Sequence, residues 1–425
     1  MATLENIELK PSFYDRKKKE VVLLDGKSIN VPYIFFEDGK PWEAANVFAI
    51  DKSESCHGGH EKTVKSTMSH LKSYATWLEE NKLDWRHFPK KKKDRVLFKY
   101  RGFLINQRDI RTLAPSTVTS RMAAVIRFYR WAQINEWIEK KSLWEDQIKT
   151  VGFFTTVGLQ RTMAVTSSEL AIPNRTRIGN RLEDGLLPIT KENRGILLNY
   201  LEKNSKVELL LMSKVGFLTG SRSETIRSLR IPDLELAIVD SQNIAISYIQ
   251  VGPPTRVLTK YSVSGQIPFP TILIKELLRY AYSTRRLVRQ SKAEIDNRTL
   301  LFLTVQGNQY SETSFTKLIS DLRKEMSRND LNQFSKFIFH QTRATFGTEL
   351  MRLALEKLPS PSDAIRYVRD AMLHKGEATT WKYVKFIEQE PIKERLSIEF
   401  YNLFSGSIDT ADAEKLVNLA TYTNE

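Results

Sequence analysis

Cysteine is almost absent from the sequence. The 425-residue chain holds only Cys56, which excludes an internal disulfide and any zinc site built on several thiolates. The local group CHGGH, with Cys56, His57 and His60, offers too few ligands at a spacing that suits zinc poorly, and reads as a polar loop. Long apolar runs are lacking too. No stretch reaches the roughly 18 apolar residues that span a bilayer, and the first residues, MATLENIELKPSFYDRKKKE, are charged where a secretory signal would be apolar. A cytoplasmic protein without a membrane partner is expected. The chain also lacks clustered Asp and Glu of the kind that hold paired Mg²⁺, which argues against a metal-dependent nuclease or transposase. No repeat of fixed period occurs.

What the chain has in excess is positive charge. Lys and Arg total 65 against 50 Asp and Glu, a formal net charge of +15 and a pI near 9.6. That balance favours a polyanionic partner, nucleic acid ahead of an anionic membrane surface. A hydrophobic content of 41% and a charged content of 27% match a folded globular protein, and the length suits two or three cores.

Residues 1–60 alternate short apolar runs such as VVLL and VPYIFF with turn material, and are expected to form an appendage of strands and loops. A helical domain is expected over 61–154. Val64, Met68, Leu71, Tyr74 and Leu78 recur at helical spacing, and a second helix starts at APSTVTSR and carries Val118, Met122, Val125 and Tyr129 inward. Between them the run Lys90, Lys91, Lys92 and Lys93 stands among aromatics and reads as a basic loop or a phosphate contact. Arg121, Arg127 and Arg130 on the second helix are candidates for base reading or phosphate contact. Residues 155–187 show neither period and are assigned to a linker. A mixed domain over 188–390 opens with Thr190 as an N-cap and passes through strand-like runs LELAIVD, NIAISYIQV, RVLTKYSV and GQIPFP before helices resume. The expected fold is mainly α with a small antiparallel β-sheet in this second domain.

Four stretches of the second domain present cations or a nucleophile where the chain changes element. FLTGSRSETIRSL has a helix break at Gly220 and Arg222 at the next helix start. RVLTKYSVSGQIPFP reads as a hairpin with Lys260 near its turn. HQTRATFGTEL puts His340 and Arg343 on one helical face, and MLHKGEATTWKYVKF has His374 nine residues before Tyr383. Guanidinium groups fork onto phosphate oxygens and stabilise added charge.

As a set, these stretches resemble the tyrosine recombinases, also called phage-type integrases. Members carry an arginine at a TG-x-R helix start, a lysine on a β-hairpin, an H-x-x-R helix, a histidine or tryptophan, and a tyrosine nucleophile about nine residues later. All occur here in that order, as Arg222, Lys260, His340 with Arg343, His374, and Tyr383. Supporting positions depart from the pattern: Thr225 stands where an acidic residue is usual, Ala344 where a histidine is common, and Leu373 where a glycine is usual. Among rival tyrosines, Tyr367 and Tyr401 do not follow a histidine by the needed interval, and Arg256 near Lys260 could substitute for it.

The resemblance implies a helical core-binding domain and a mixed α+β catalytic domain that clamp double-stranded DNA, with strand exchange through a 3′-phosphotyrosyl intermediate and no metal or other cofactor. It further implies a homotetramer on paired sites, a bacterial or phage setting with nucleoid association, and accessory DNA-bending factors as candidate partners. A type IB topoisomerase-like activity and a non-catalytic DNA-binding protein on the same scaffold are the alternatives. In the tail, residues 391–425, Ile392, Leu396, Phe400 and Leu403 and then Leu416, Val417 and Ala420 form apolar stripes. They fold back on their own domain or dock on a neighbouring protomer.

Overall fold

Helix periodicity is satisfied first where the sequence signals it. In the computed structural model, α1 (Glu43–Glu54) precedes α2 (Glu61–Glu80), which buries Val64, Met68, Leu71, Tyr74 and Leu78. After α3 (Val96–Asp109), α4 (Pro115–Ile134) begins on a proline, whose missing N–H costs nothing in the first turn, and buries Val118, Met122, Val125 and Tyr129. The phenols of Tyr74 and Tyr129 meet at 2.8 Å, and Tyr129 donates to the Trp85 carbonyl at 2.6 Å. Burial pushes both phenols far above the ordinary tyrosine range, so they act as hydrogen-bonding ties.

The structure describes residues 1–388, apart from 11, 16–17, 24–25, 27, 55–60, 140–142, 155–159, 175–181, 183–184 and 240–244. The CHGGH group and the tail stripes lie outside the described residues. The chain divides into two compact units, Met1–Arg177 and Ile178–Glu425.

The first unit departs from expectation in three ways. Strand β1 (Thr3–Leu9) pairs antiparallel with β4 (Ile29–Phe35), Leu9 opposite Ile29, and a small hairpin of β2 (Ser12–Asp15) and β3 (Glu20–Leu23) lies between them in sequence. Val31, Ile34, Trp42 and Phe48 share one core with Tyr74 and Phe128, so residues 1–54 are part of the helical unit. The basic stretch contains α3, whose Val96, Leu97, Tyr100 and Leu104 are buried; the adjacent lysines obscure that stripe in the sequence. Part of the expected linker is paired, β5 (Asp146–Phe154) with β6 (Gln160–Ser168).

The second unit opens with α5 (Lys191–Lys203), capped by the Thr190 side chain accepting from the Asn193 N–H at 3.3 Å. Next come α6 (Val207–Thr219), α7 (Ser223–Ser228) and α8 (Ile231–Glu235). A three-stranded antiparallel sheet follows in the order β7 (Ile238–Val239), β8 (Ile246–Val251), β9 (Gly265–Pro270). LELAIVD thus resolves into a helix and a two-residue strand. RVLTKYSV is not a strand: Val251 pairs with Gly265, and residues 252–264 form a connection outside the ladder, with a 3-10 turn at Lys260–Ser262. Helices α9 (Thr271–Ala281), α10 (Thr284–Gln290), α11 (Glu312–Arg328), α12 (Gln341–Lys357) and α13 (Pro361–Ala371) complete the unit with α14, residues 377–388. One core joins α6 and the sheet through Val215, Phe217, Ile249, Ile267 and Phe269. A second joins α12, α13 and α14 through Met351, Ile365, Val368, Met372, Tyr383 and Val384. The whole is mainly helical with small antiparallel sheets.

Candidate active site

The site forms where helix ends meet. Gly220 ends α6 at φ +64, and a Cβ there would lie 2.4 Å from Phe346 Cδ1, so glycine is required both for the turn and for the close approach of α12. That turn places Arg222 at the N-cap of α7, half-buried. Arg343, in the first turn of α12, is 2% exposed; its Nη1 donates to the Gly220 carbonyl at 2.6 Å and its Nη2 to the Met372 carbonyl at 2.9 Å. One guanidinium therefore joins the end of α6 to the end of α13, with its orientation set by two fixed acceptors. Arg222, Lys260 and Arg343 line one cavity together with Thr219, Thr225 and Leu373. At about 10 Å³ it has room for a single water.

Outside that cavity lies an open depression of about 220 Å³, lined by Arg222, Lys260, Tyr261, Leu373, His374, Lys375, Thr379 and Lys382 among others. The exposed Tyr261 ring carries Lys260 Nζ at 5.3 Å and Lys375 Nζ at 5.6 Å from its centroid, which suits cation–π attraction. Among the described residues no acidic side chain lines the depression, so its charge suits an anionic guest.

His374 follows a helix end of defined form. The His374 N–H donates to the Arg369 carbonyl at 2.9 Å and the Leu373 N–H to that of Asp370 at 3.1 Å, the paired bonds of a Schellman motif, in which a left-handed residue, usually glycine, follows the cap. Here that residue is Leu373, at φ +50, a conformation that costs a side-chain-bearing residue roughly 1–2 kcal/mol. The His374 Nδ1 lies 2.8 Å from Thr380 Oγ1, and its ring stacks on Tyr383 at 6.1 Å between centroids and 16°. Tyr383 has no exposed surface and packs so closely on α12 that a Cβ at Gly347 would lie 2.5 Å from its Cε1. His340 forms the N-cap position of α12, half-buried, and is not among the residues lining either cavity.

Residues 189–388 match the phage integrase family. This segment belongs to that family. It is a tyrosine-type site-specific DNA recombinase domain, an enzyme of DNA strand breakage and rejoining. No curated protein matches the sequence. Among solved structures, the chain is similar to the Tn1549 transposon integrase (residues 82–397) in complex with circular intermediate DNA, at 12% identity and a TM-score of 0.48, covering 80% of this chain and 94% of that one. It is also similar to a lambda integrase (75–356) dimer bound to a COC′ core site, at 14% identity and a TM-score of 0.45, covering 79% and 93%.

In the integrase domain the structure brings Arg222, Lys260 and Arg343 to one cavity, sets His374 in the depression outside it and stacks Tyr383 on His374. Sequence reasoning missed Lys375, Lys382 and Tyr261. The two lysines flank His374 and Tyr383 in the quoted motif, but which face they take depends on the packing of α14. Arg256 lies away from these cavities, with its Nη1 3.7 Å from Asp296.

In the first unit, Lys90, Lys91 and Lys93 are exposed, while Lys92 Nζ is 2.7 Å from Glu169 and 3.1 Å from Glu145. Arg130 is likewise held by Asp146 at 2.8 Å. Burial first, and then the charges of Arg121 and Arg127, hold the imidazole of His70 in α2 below the ordinary range. Positive charge thus collects where α2 and α4 meet, at Arg121 and Arg127.

Proposed function

We propose that the chain recombines double-stranded DNA at specific sites through a 3′-phosphotyrosyl intermediate, as the integrase of a mobile element. The reading is carried by the convergence of Arg222, Lys260 and Arg343, from three separate elements, on one cavity, with Arg222 and Lys260 shared with the outer depression that His374 lines. The scissile phosphate occupies the outer depression, since the inner cavity is too small for it. The Tyr383 oxygen attacks phosphorus, the bond to the 5′ oxygen breaks, and the leaving oxygen takes a proton from Lys260. The phenol, with an ordinary pKa of about 10, loses its proton to a base, for which His340 is the candidate. Arg222 stabilises the charge gathering on the non-bridging oxygens from the depression, Arg343 does so from the inner cavity once DNA binding opens it, and His374 donates a hydrogen bond to one of those oxygens. The phosphotyrosine conserves the energy of the broken linkage, so rejoining is the same step reversed. Because Tyr383 is wholly buried, α14 must shift when DNA fills the depression.

The α2–α4 face and the exposed lysines Lys90, Lys91 and Lys93 position the duplex through its phosphates. Tetramer assembly on paired sites, with the tail docking on a neighbouring protomer and accessory DNA-bending factors assisting, belongs to the same reading, as does a cytoplasmic setting in a bacterium or phage-infected cell. Among the described residues, no helix is long and apolar enough to cross a membrane.

The test uses a pool of nicked duplexes of random sequence, with covalent complexes isolated under denaturing conditions and sequenced. Wild type should form an adduct enriched for one sequence, in excess EDTA as well as in Mg²⁺. Tyr383→Phe should bind DNA without forming it. An adduct without sequence enrichment, together with relaxation of supercoiled plasmid, would indicate a topoisomerase. Binding without any adduct would indicate a non-catalytic scaffold.

A further inference from the structure

We propose that Leu373 is a positioning residue, a side chain that locks the Lys260-bearing connection to the helix end carrying His374 and so sets the proton donor against the leaving oxygen. The inference rests on the recombinase reading and concerns a residue that stands where the resemblance leads one to expect glycine. A leucine held at φ +50 in a Schellman turn is an unfavourable choice unless its side chain does something glycine cannot.

The contacts show what that is. A Cβ at Gly265 would lie 2.5 Å from Leu373 Cδ2, so the leucine tip presses on the backbone where β9 begins. Gly265 pairs with Val251 at the neck of the connection that carries Lys260. The other side of that neck is equally tight: Gly252 sits at φ +76, and a Cβ there would meet the Val263 carbonyl oxygen at 2.3 Å. The connection itself is exposed at Pro253, Pro254, Arg256, Leu258, Lys260, Tyr261 and Ser262, with Tyr261 and Ser262 both at positive φ. Midway it is anchored by Val257, buried in the core that holds the sheet, and by the Leu258 N–H, which donates to Ser228 Oγ at 2.8 Å; its ends are set at the neck, where Leu373 presses from outside the sheet.

The same residue organises the rest of the site. The left-handed turn at Leu373 sends three successive side chains three ways. Met372 joins the core around Tyr383, Leu373 packs against the core that holds the sheet, and His374 reaches Thr380 and stacks on Tyr383. The Met372 carbonyl accepts from Arg343, and Leu373 lines both the inner cavity and the outer depression. Lysine, histidine and arginine are thus referred to one residue.

The experiment compares single-turnover cleavage of the duplex selected above with that of the same duplex carrying sulfur in place of the 5′-bridging oxygen at the scissile phosphate. A thiolate leaves without needing a proton, so the sulfur substrate does not depend on the donor. Leu373→Gly should leave the thermal midpoint within a few degrees of wild type, because relief of the left-handed strain offsets the lost packing on the core that holds the sheet. It should cleave the oxygen substrate about tenfold more slowly or worse, a part of the roughly 10²–10⁴-fold that a general acid contributes, and the sulfur substrate within about twofold of wild type. Gly265→Ala should show the same selective loss, and adding Leu373→Ala to it should restore part of the oxygen-substrate rate by making room for the new methyl. Wild-type cleavage of both substrates by Leu373→Gly, equal losses on both, or no recovery in the double variant would each overturn the proposal. If the wild-type chain forms no adduct with either substrate, the recombinase reading itself falls.

Discussion

At the residue scale, the chain places charge and space where single atoms decide the outcome. Glu208 is 6% exposed and takes Arg285 Nε at 2.7 Å and Arg289 Nη2 at 3.0 Å. Burial alone would raise its pKa, but the Arg285 hydrogen bonds and the Arg289 charge outweigh it and hold the carboxyl below the usual range. Because the folded value lies below the unfolded one, the stabilisation is complete above about pH 4.3, the free glutamate value, and is lost as pH falls through the lower folded value. Glu208→Gln leaves the nearly buried Arg289 without its charge partner, and should cost about 3 kcal/mol in urea unfolding at pH 7. The difference from wild type should shrink at pH 3. Gly347 makes a second case, about space. A methyl there collides with Tyr383, so Gly347→Ala should lose about 1–2 kcal/mol net, overpacking outweighing the gain in helix propensity. Gly102 in α3 is the control, with nothing within 4 Å of its added Cβ. There the same change should be neutral or stabilising by up to about 1 kcal/mol.

At the scale of elements, α6 and α12 form the frame of the site because they touch almost backbone to backbone. A Cβ at Gly216 would lie 2.5 Å from Thr342 Oγ1 and 3.0 Å from Thr342 Cβ. Gly216→Ala should push α12 outward and lengthen the reach of Arg343 to the Gly220 carbonyl. The expected result is a fall in adduct formation of about tenfold or more at unchanged DNA affinity, since an oxyanion donor aimed slightly wrong loses much of its 10²–10³-fold effect. The four-lysine run divides in the same way by element. Lys90→Ala, Lys91→Ala and Lys93→Ala together should weaken binding to all duplexes alike and flatten its salt dependence. Lys92→Ala, whose ammonium is held by Glu145 and Glu169, should change the salt slope little. Titration of a fluorescent duplex at several salt concentrations checks both. Helices α2 and α4, the Thr190 cap and the break at Gly220 were legible in the sequence, because each rests on spacing or on one residue's backbone preference. Helix α3 and the strand status of RVLTKYSV were misread. A short apolar stripe among lysines has no period long enough to stand out, and β-branched residues also occupy an irregular connection when neighbouring strands pair around it.

At the scale of the whole molecule, each unit has its own core: buried side chains from Ala2 to Ile172 form one, and those from Leu182 to Phe386 form the others. Residues 178–425 alone should therefore unfold cooperatively and still form the covalent adduct, with DNA affinity lowered by loss of the α2–α4 face. Calorimetry and the adduct assay check this, and failure to fold would show that the units depend on each other. The basic balance, the helical class and the order of the motif residues, which carried the resemblance, were all present in the chain before folding, because composition, period and spacing are local properties. Tertiary packing set the rest: residues 1–54 complete the first core, Lys92 and Arg130 are neutralised while the charges of Arg121 and Arg127 act on His70, and Tyr383 is buried behind His374. It alone showed Leu373 bearing on Gly265. Those facts depend on which distant surfaces pack together, and side-chain neighbours across a core are set by the closing of the whole fold.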